Sequence, residues 1–331
     1  MAISGKVYGK GEFSVGIKAK DAANIATVAA ADGAYKLLPV INVSAPVLNF
    51  IESGEIRSNN TGMIETDKDQ FRSSKGGFVT LDFEVPAERN YIVRLLANVL
   101  QDHEENTSGT NVIHTVRAEA GNLLARPDFT ASSSAGVPSL FDIGLYYPSS
   151  SEDKLITSAA LQSLTMNFDM TDGRLLLSGS FYSGFTSSTK FLTEQNLTAA
   201  VDPIAAAASP AMPIESYFDV KKIDVDGQVL TDIVVTSVSF TFENNLARVG
   251  RDASGDAEAY AFGIPAVSIT GEISVMYDGN VNFGAAKNVL QDFIDGNTAT
   301  LKLQQGDGTV DAAELGEMNI ECEIYSTAVN L

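Results

Sequence analysis

The chain has 331 residues, with 42 Asp and Glu against 22 Lys and Arg, a net charge of −20. That balance argues against sequence-independent binding of nucleic acid, which is driven by basic side chains displacing counterions from phosphates. Hydrophobic residues make up 44% and charged residues 19%, with 27 Gly and 10 Pro, so the chain is globular and, at roughly 150 residues per domain, long enough for about two domains.

The single Cys cannot close an intrachain disulfide. No window approaches about 18 consecutive apolar residues, and Met1 to Lys6 lacks the apolar core of a secretory signal. Neither a disulfide scaffold, a membrane-spanning helix nor export is expected.

In chain order, the first elements are a polar strand ending at Asn59-Asn60 and a strand with Val79, Leu81, Phe83 and Val85 on one face. After Pro86, the spacing of Tyr91, Ile92, Leu95, Leu96, Val99 and Leu100 predicts a helix over 87–100. A strand around Val112 to Arg117 follows. Leu164, Met166, Phe168 and Met170 alternate with Thr165, Asn167 and Asp169, and past Thr171-Asp172-Gly173 the beat resumes at Leu175, Leu177, Gly179 and Phe181, which predicts a hairpin.

The Ser, Thr and Ala-rich stretch 186–213, with Pro203, Pro210 and Pro213, predicts a surface loop. Asp224-Val225-Asp226-Gly227 predicts a hairpin turn. Val238, Phe240 and Phe242 form a strand face ending at Asn244-Asn245, and Val267, Ile269, Ile273, Val275 and Tyr277 form another. A second helix is predicted over 285–295, stopped by Gly296, followed by strands over 298–304 and around Ile320, Cys322 and Ile324.

The order of these elements repeats. Each half has a strand ending in an Asn pair, then a strand, a helix and another strand, with 19 residues from the pair to the next strand in one copy and 22 in the other. The expected fold is therefore mainly β: two tandem β-sandwich or open-barrel units over 1–150 and 151–331, each flanked by one helix. After residue 165 there are 23 acidic and 8 basic side chains, so the second copy carries most of the charge.

Catalytic chemistry is not signalled. His103, in Asp102-His103-Glu104-Glu105 just past the first helix, fits a helix-end cap or a solvated side chain, and His114 fits a partly buried strand position. Cys322 lies between Glu321 and Glu323, a setting that disfavours a reactive thiolate. Asp307 to Glu314 matches the second part of a calcium-binding EF-hand loop, but Leu303 and Gln305 stand where its first carboxylates belong. No phosphate-binding glycine motif is present. The expectation is a protein that is not an enzyme, with no catalytic residue, cofactor or metal site.

The strand Val235 to Phe242, running into Glu243-Asn244-Asn245-Leu246, is followed about twenty residues later by Ala266 to Asp278. Together with the hairpin Gln162 to Gly184, this resembles the tail tube (major tail) proteins of long-tailed bacteriophages, from about residue 50 onward. The resemblance implies a virion structural protein, made in the bacterial cytoplasm. Its inner sheets join around a ring and its rings stack into a tube through which the genome passes. Implied partners are further copies of itself and other tail proteins, namely tape measure, terminator and baseplate or tip, with DNA passing without specific binding. Two tube units per chain would give a trimeric, pseudo-sixfold ring, with 186–213 or 60–77 available to reach neighbours. An acidic wall repels phosphate, and Asp169, Glu243 and Glu272 are the candidate lumen residues. The alternative is a two-domain β-sandwich adhesion module binding carbohydrate or Ca2+, although with no Trp and with Phe mostly at core positions the supply of aromatic platforms is thin.

Overall fold

The computed structural model describes residues 13–19, 35–56, 70–87, 89–100, 103–108, 111–116, 141–148, 152–169, 174–183, 192–194, 197, 220–225, 228–229, 234–245, 247–249, 261–263, 267–276, 295–296, 298–305 and 319–325. It is mainly β. The first half contains β1 (Ser14–Ala19), β2 (Lys36–Leu38), β3 (Asn42–Val43), β4 (Val47–Ile56), β5 (Gln70–Pro86), α1 (Arg89–Leu100), β6 (His103–Ser108), β7 (Asn111–Val116) and β8 (Phe141–Tyr146). The remainder contains β9 (Lys154–Asp169), β10 (Arg174–Ser183), β11 (Leu192–Glu194), β12 (Val220–Val225), β13 (Gln228–Val229), β14 (Val234–Glu243), β15 (Ala247–Val249), β16 (Ala261–Gly263), β17 (Ser268–Met276), β18 (Thr298–Gln305) and β19 (Asn319–Tyr325).

One open antiparallel sheet holds most of these strands, in the order β2-β1-β8-β9-β10-β5-β3. Strand β9 is its spine. Its first part pairs with β8 and β11 and its second part with β10 and β14, while β17 adds to β14 and β4 to β5. Strands from both sides of residue 150 thus interleave in a single sheet, and the described strands do not divide there into two. A separate four-stranded sheet runs β13-β12-β18-β19, with β12 paired to β13 from Asp224↔Val229 to Val225↔Gln228; Asp226 and Gly227 of the expected turn lie outside the described residues.

The predicted strands at 79–85, 112–117, 164–181, 235–242, 267–277, 298–304 and 320–324 are present with small shifts of boundary. The helix predicted over 87–100 runs from Arg89 to Leu100 and buries Ile92, Leu95 and Val99 against the inner face of the sheet. Pro86 ends β5 just before it, and the Ala87 N–H donates to Leu175 O at 2.9 Å, tying the strand-to-helix corner to β10. Of the helix expected at 285–295 only Asp295 lies among the described residues, where it is helical, and Gly296 follows at φ 76°, the left-handed conformation typical of a helix end.

His103 opens strand β6, which pairs with β7 from His103↔Val116 to Ser108↔Asn111. Residues 70–77 form part of β5, paired with β4, and 60–69 lie outside the described residues. Of 186–213 only 192–194 and 197 lie among the described residues: β11 pairs with the beginning of β9, and the Leu197 N–H donates to the Asp153 carboxylate at 3.4 Å.

The core lies on one face of the main sheet. Phe141, Leu164, Phe168, Leu177, Phe181 and Val238 are all buried there, with Phe83 stacked on Phe181 at 4.7 Å and Phe168 edge-on to Phe240 at 6.4 Å. Gly179 makes the first stack possible. A Cβ at this position would come within 2.8 Å of Ser163 O and 2.9 Å of the Phe83 ring. Gly179→Ala is expected to lower stability by about 1–3 kcal/mol, the usual cost of overpacking a tight core, and chemical denaturation checks it.

Candidate functional site: a polar sheet face

The opposite face of the same sheet is polar, and a backbone irregularity creates it. In β9 the core side chain is Leu161 before the bulge, and Leu164, Met166 and Phe168 after it. Gln162 is the extra residue, exposed, with its carbonyl accepting from the Asn244 N–H at 2.9 Å. The insertion shifts the alternation by one, so Ser163, Thr165, Asn167 and Asp169 all occupy positions on the face away from the core.

Neighbouring strands continue this face in register. Ser163 lies opposite Ser180 of β10 and Glu243 of β14, and Glu243 lies opposite Ser268 of β17. In the next row Thr165 pairs with Ser178 and Thr241, and Thr241 with Thr270. The third row is Leu176, Asn167, Ser239 and Glu272, and the fourth is Arg174, Asp169, Ser237 and Ser274. Beyond β10, strand β5 adds Asp82 opposite Ser180 and Glu84 opposite Ser178.

The three acidic residues picked from the sequence therefore share one face. Glu243 and Glu272 are exposed on it, and Asp169 holds a backbone position in the same set, opposite Ser237 and Arg174. Asp82 (exposed) and Glu84 (half-buried) complete the acidic set and were not picked, although their alternation with Leu81, Phe83 and Val85 is the signal that could have found them.

Hydroxyls on this face bond to one another and to carboxylates. Thr165 Oγ1 and Thr241 Oγ1 are 3.0 Å apart, and Ser268 Oγ donates to Glu243 Oε2 at 3.3 Å. At the β5 margin the sheet is closed by Ser44, whose hydroxyl accepts from the Asp82 N–H at 3.0 Å and whose N–H donates to Asp82 O at 2.9 Å. The arrangement is a surface of carboxylates and hydroxyls suited to repelling polyanions and holding water.

Behind the bulge sits a buried polar clamp that composition and spacing did not reveal. Asn98 Oδ1, from α1, accepts from the Leu161 N–H at 2.7 Å, and Asn244 Nδ2 donates to Leu161 O at 2.8 Å. Both asparagines are fully buried. Asn244 Oδ1 is buried without a partner, and Asn245 turns the chain away at φ 46°.

A second cluster lies where β1 and β8 meet the residue before β2: Tyr35 meets Tyr146 edge-on at 6.1 Å and Lys18 Nζ sits 5.9 Å from the Tyr35 ring. Burial, then the Asp142 carboxylate, pushes the Tyr35 hydroxyl up to about 12 from an ordinary 10; burial, then Tyr35 and Asp153, raises Tyr146 as well. The folded state therefore favours the neutral phenols, while the unfolded chain ionises near pH 10. Stability from this cluster is complete below pH 10 and is lost as pH rises toward 12, so the melting temperature should fall across that window and fall less in Tyr35→Phe/Tyr146→Phe.

His103 and His114 stand on the β6–β7 hairpin, and Cys322 pairs with Leu301 on β18–β19. Residues 307–314 lie outside the described residues. Among the described residues no group of three or more His, Cys, Asp or Glu is placed to hold a metal, and no helix is long and apolar enough to cross a membrane. No protein-family model matches the chain, and no curated protein matches it.

Proposed function

We propose that this chain is a structural protein of a long-tailed bacteriophage virion, assembling into stacked rings whose polar sheet face lines a conduit for genome delivery. The observation that carries the reading is the face itself: hydroxyls in register across β9, β14 and β17, with Glu243 and Glu272 among them, Asp82 and Glu84 on β5 beside them, and Leu164, Met166, Phe168, Val238, Phe240 and Phe242 turned to the other side. A duplex sliding past such a wall meets like charge and few cations.

The margins of the sheet support assembly. Among the described residues β17 pairs only with β14, and it exposes Ile269, Thr270, Gly271 and Glu272; at the opposite margin Ile41 and Val47 are exposed. Unlike margins on one molecule suit head-to-tail contacts, which close into rings. The trimer expected from the sequence depends on two units per chain, whereas the single sheet supports one wall segment per chain, and the mass of the ring decides between three chains and six. Tape measure, terminator and baseplate or tip proteins are the partners this reading calls for.

Negative-stain electron microscopy of the purified protein over a concentration series tests it. Rings or stacked tubes with a central hole are the expected result. Monomers at every concentration, also in the presence of an assembled tail tip, would overturn it.

One feature favours the second reading, a carbohydrate-binding module. Phe78 and Tyr182 stack at 5.0 Å on the polar side of β5 and β10, next to Thr80 and Asp82, an aromatic surface beside acceptors. Glycan binding that is lost in Tyr182→Ala, by a protein that forms no rings, would select this reading.

A further inference from the structure

We propose that Glu243 and Ser268 work as a donor-masking pair, with the carboxylate holding the serine hydroxyl so that Ser268 offers phosphate no hydrogen-bond donor. The inference rests on the conduit reading and identifies residues that set what the wall rejects. Phosphate oxygens only accept hydrogen bonds, and nucleic-acid backbones are gripped through Ser and Thr hydroxyls as well as through Lys and Arg. A hydroxyl-rich wall is therefore not inert by composition. It becomes so where its donors already have acceptors.

A serine hydroxyl has one hydrogen to give. That of Ser268 is directed to Glu243 Oε2 at 3.3 Å, across the β14–β17 pair in which the two residues lie opposite each other. Glu243 is exposed, and Ser268 opens the strand at the margin of the sheet, where an approaching backbone would otherwise meet its hydroxyl. One row away Thr165 and Thr241 bond to each other, which occupies one of their two hydroxyl hydrogens. Glu243 thus has two effects on a polyanion. Its charge repels, and its oxygen occupies a donor.

A double-mutant cycle separates these effects. The full-length protein, Ser268→Ala, Glu243→Ala and the double variant are titrated with inorganic phosphate, and the amide signal of residue 268 is followed by nuclear magnetic resonance. The unaltered protein and Ser268→Ala should show no saturable shift. Glu243→Ala should respond, with an apparent affinity at least about threefold above that of the double variant, the order of one neutral hydrogen bond. Glu243→Val, a better strand former, gives the same comparison if the alanine variant loses its strand.

Equal titration of Glu243→Ala and the double variant, or no response in either, would overturn the masking role. That result would leave the conduit reading standing if micrographs still show rings. Absence of rings alongside a positive cycle would instead remove the conduit and leave the masked hydroxyl as a local property.

Discussion

On the proposed conduit reading, tubes assembled from a chain with Asp169, Glu243 and Glu272 all replaced by lysine should retain duplex DNA that tubes of the unaltered chain release. Each substitution moves the charge by two units, so the net charge of −20 becomes −14 and the molecule stays acidic overall. Any gained affinity is therefore local to the face. The three positions lie in different rows, on adjacent strands β9, β14 and β17, so the lysines would be spread across the face and not stacked in one spot. With about three phosphates engaged per chain, affinity should fall roughly 40-fold between about 50 mM and 200 mM salt, and genome delivery should slow accordingly. The matching variant with Asn and Gln at these positions lacks the cations and should retain no DNA. Lysine tubes that assemble and still release DNA at low salt would place the face away from the lumen.

The two faces of this sheet were legible because each strand has one wet and one dry side. Leu164, Met166 and Phe168, or Val238, Phe240 and Phe242, announce the inner face by alternation alone, and the acidic residues between them follow. The helix over Arg89–Leu100 was legible for the same reason at another period. Strand β6 was not, because His103-Glu104-Glu105-Asn106-Thr107-Ser108 has no apolar beat and is extended through its pairing with β7. The wiring was also hidden. That β5 pairs with β10, and that one strand serves β8, β10, β11 and β14, depends on long-range contacts between segments that look alike locally. Periodicity placed Asp169 and Glu243 on outward positions of their own strands, but only the register puts them on one surface with Asp82 and Glu84. The apparent duplication of strand and helix patterns likewise said nothing about whether the two halves would share a sheet.

Asn244→Asp should be the most destabilising of the conservative changes around the β9 bulge, costing about 3–5 kcal/mol at neutral pH, the range for a buried charge left uncompensated. The N–H and carbonyl of Leu161 are both removed from water and both satisfied by side-chain amides. Asn98→Ala takes the acceptor from the N–H and should cost about 1–3 kcal/mol for a buried donor left unmade. Asn244→Ala orphans the carbonyl but also removes Oδ1, which already lacks a partner, so its cost should be smaller than that of Asn98→Ala. Aspartate at 244 does the opposite. It replaces the donating Nδ2 by a second oxygen, aims a carboxylate at Leu161 O and keeps the unpartnered atom. Protonation repairs this, because a neutral carboxyl can donate to that carbonyl while burial disfavours the ionised form. The folded pKa of the new group is thus raised above its unfolded value near 4, so the variant should keep most of its stability below about pH 4 and lose it as pH rises through the raised pKa, relative to the unaltered chain at each pH. Urea denaturation of the four proteins at several pH values gives the test. If Asn244→Asp tracks Asn244→Ala at every pH, the buried side chain does not face the Leu161 carbonyl in solution, and the bulge that turns Ser163 to Asp169 toward the polar face is held by other means.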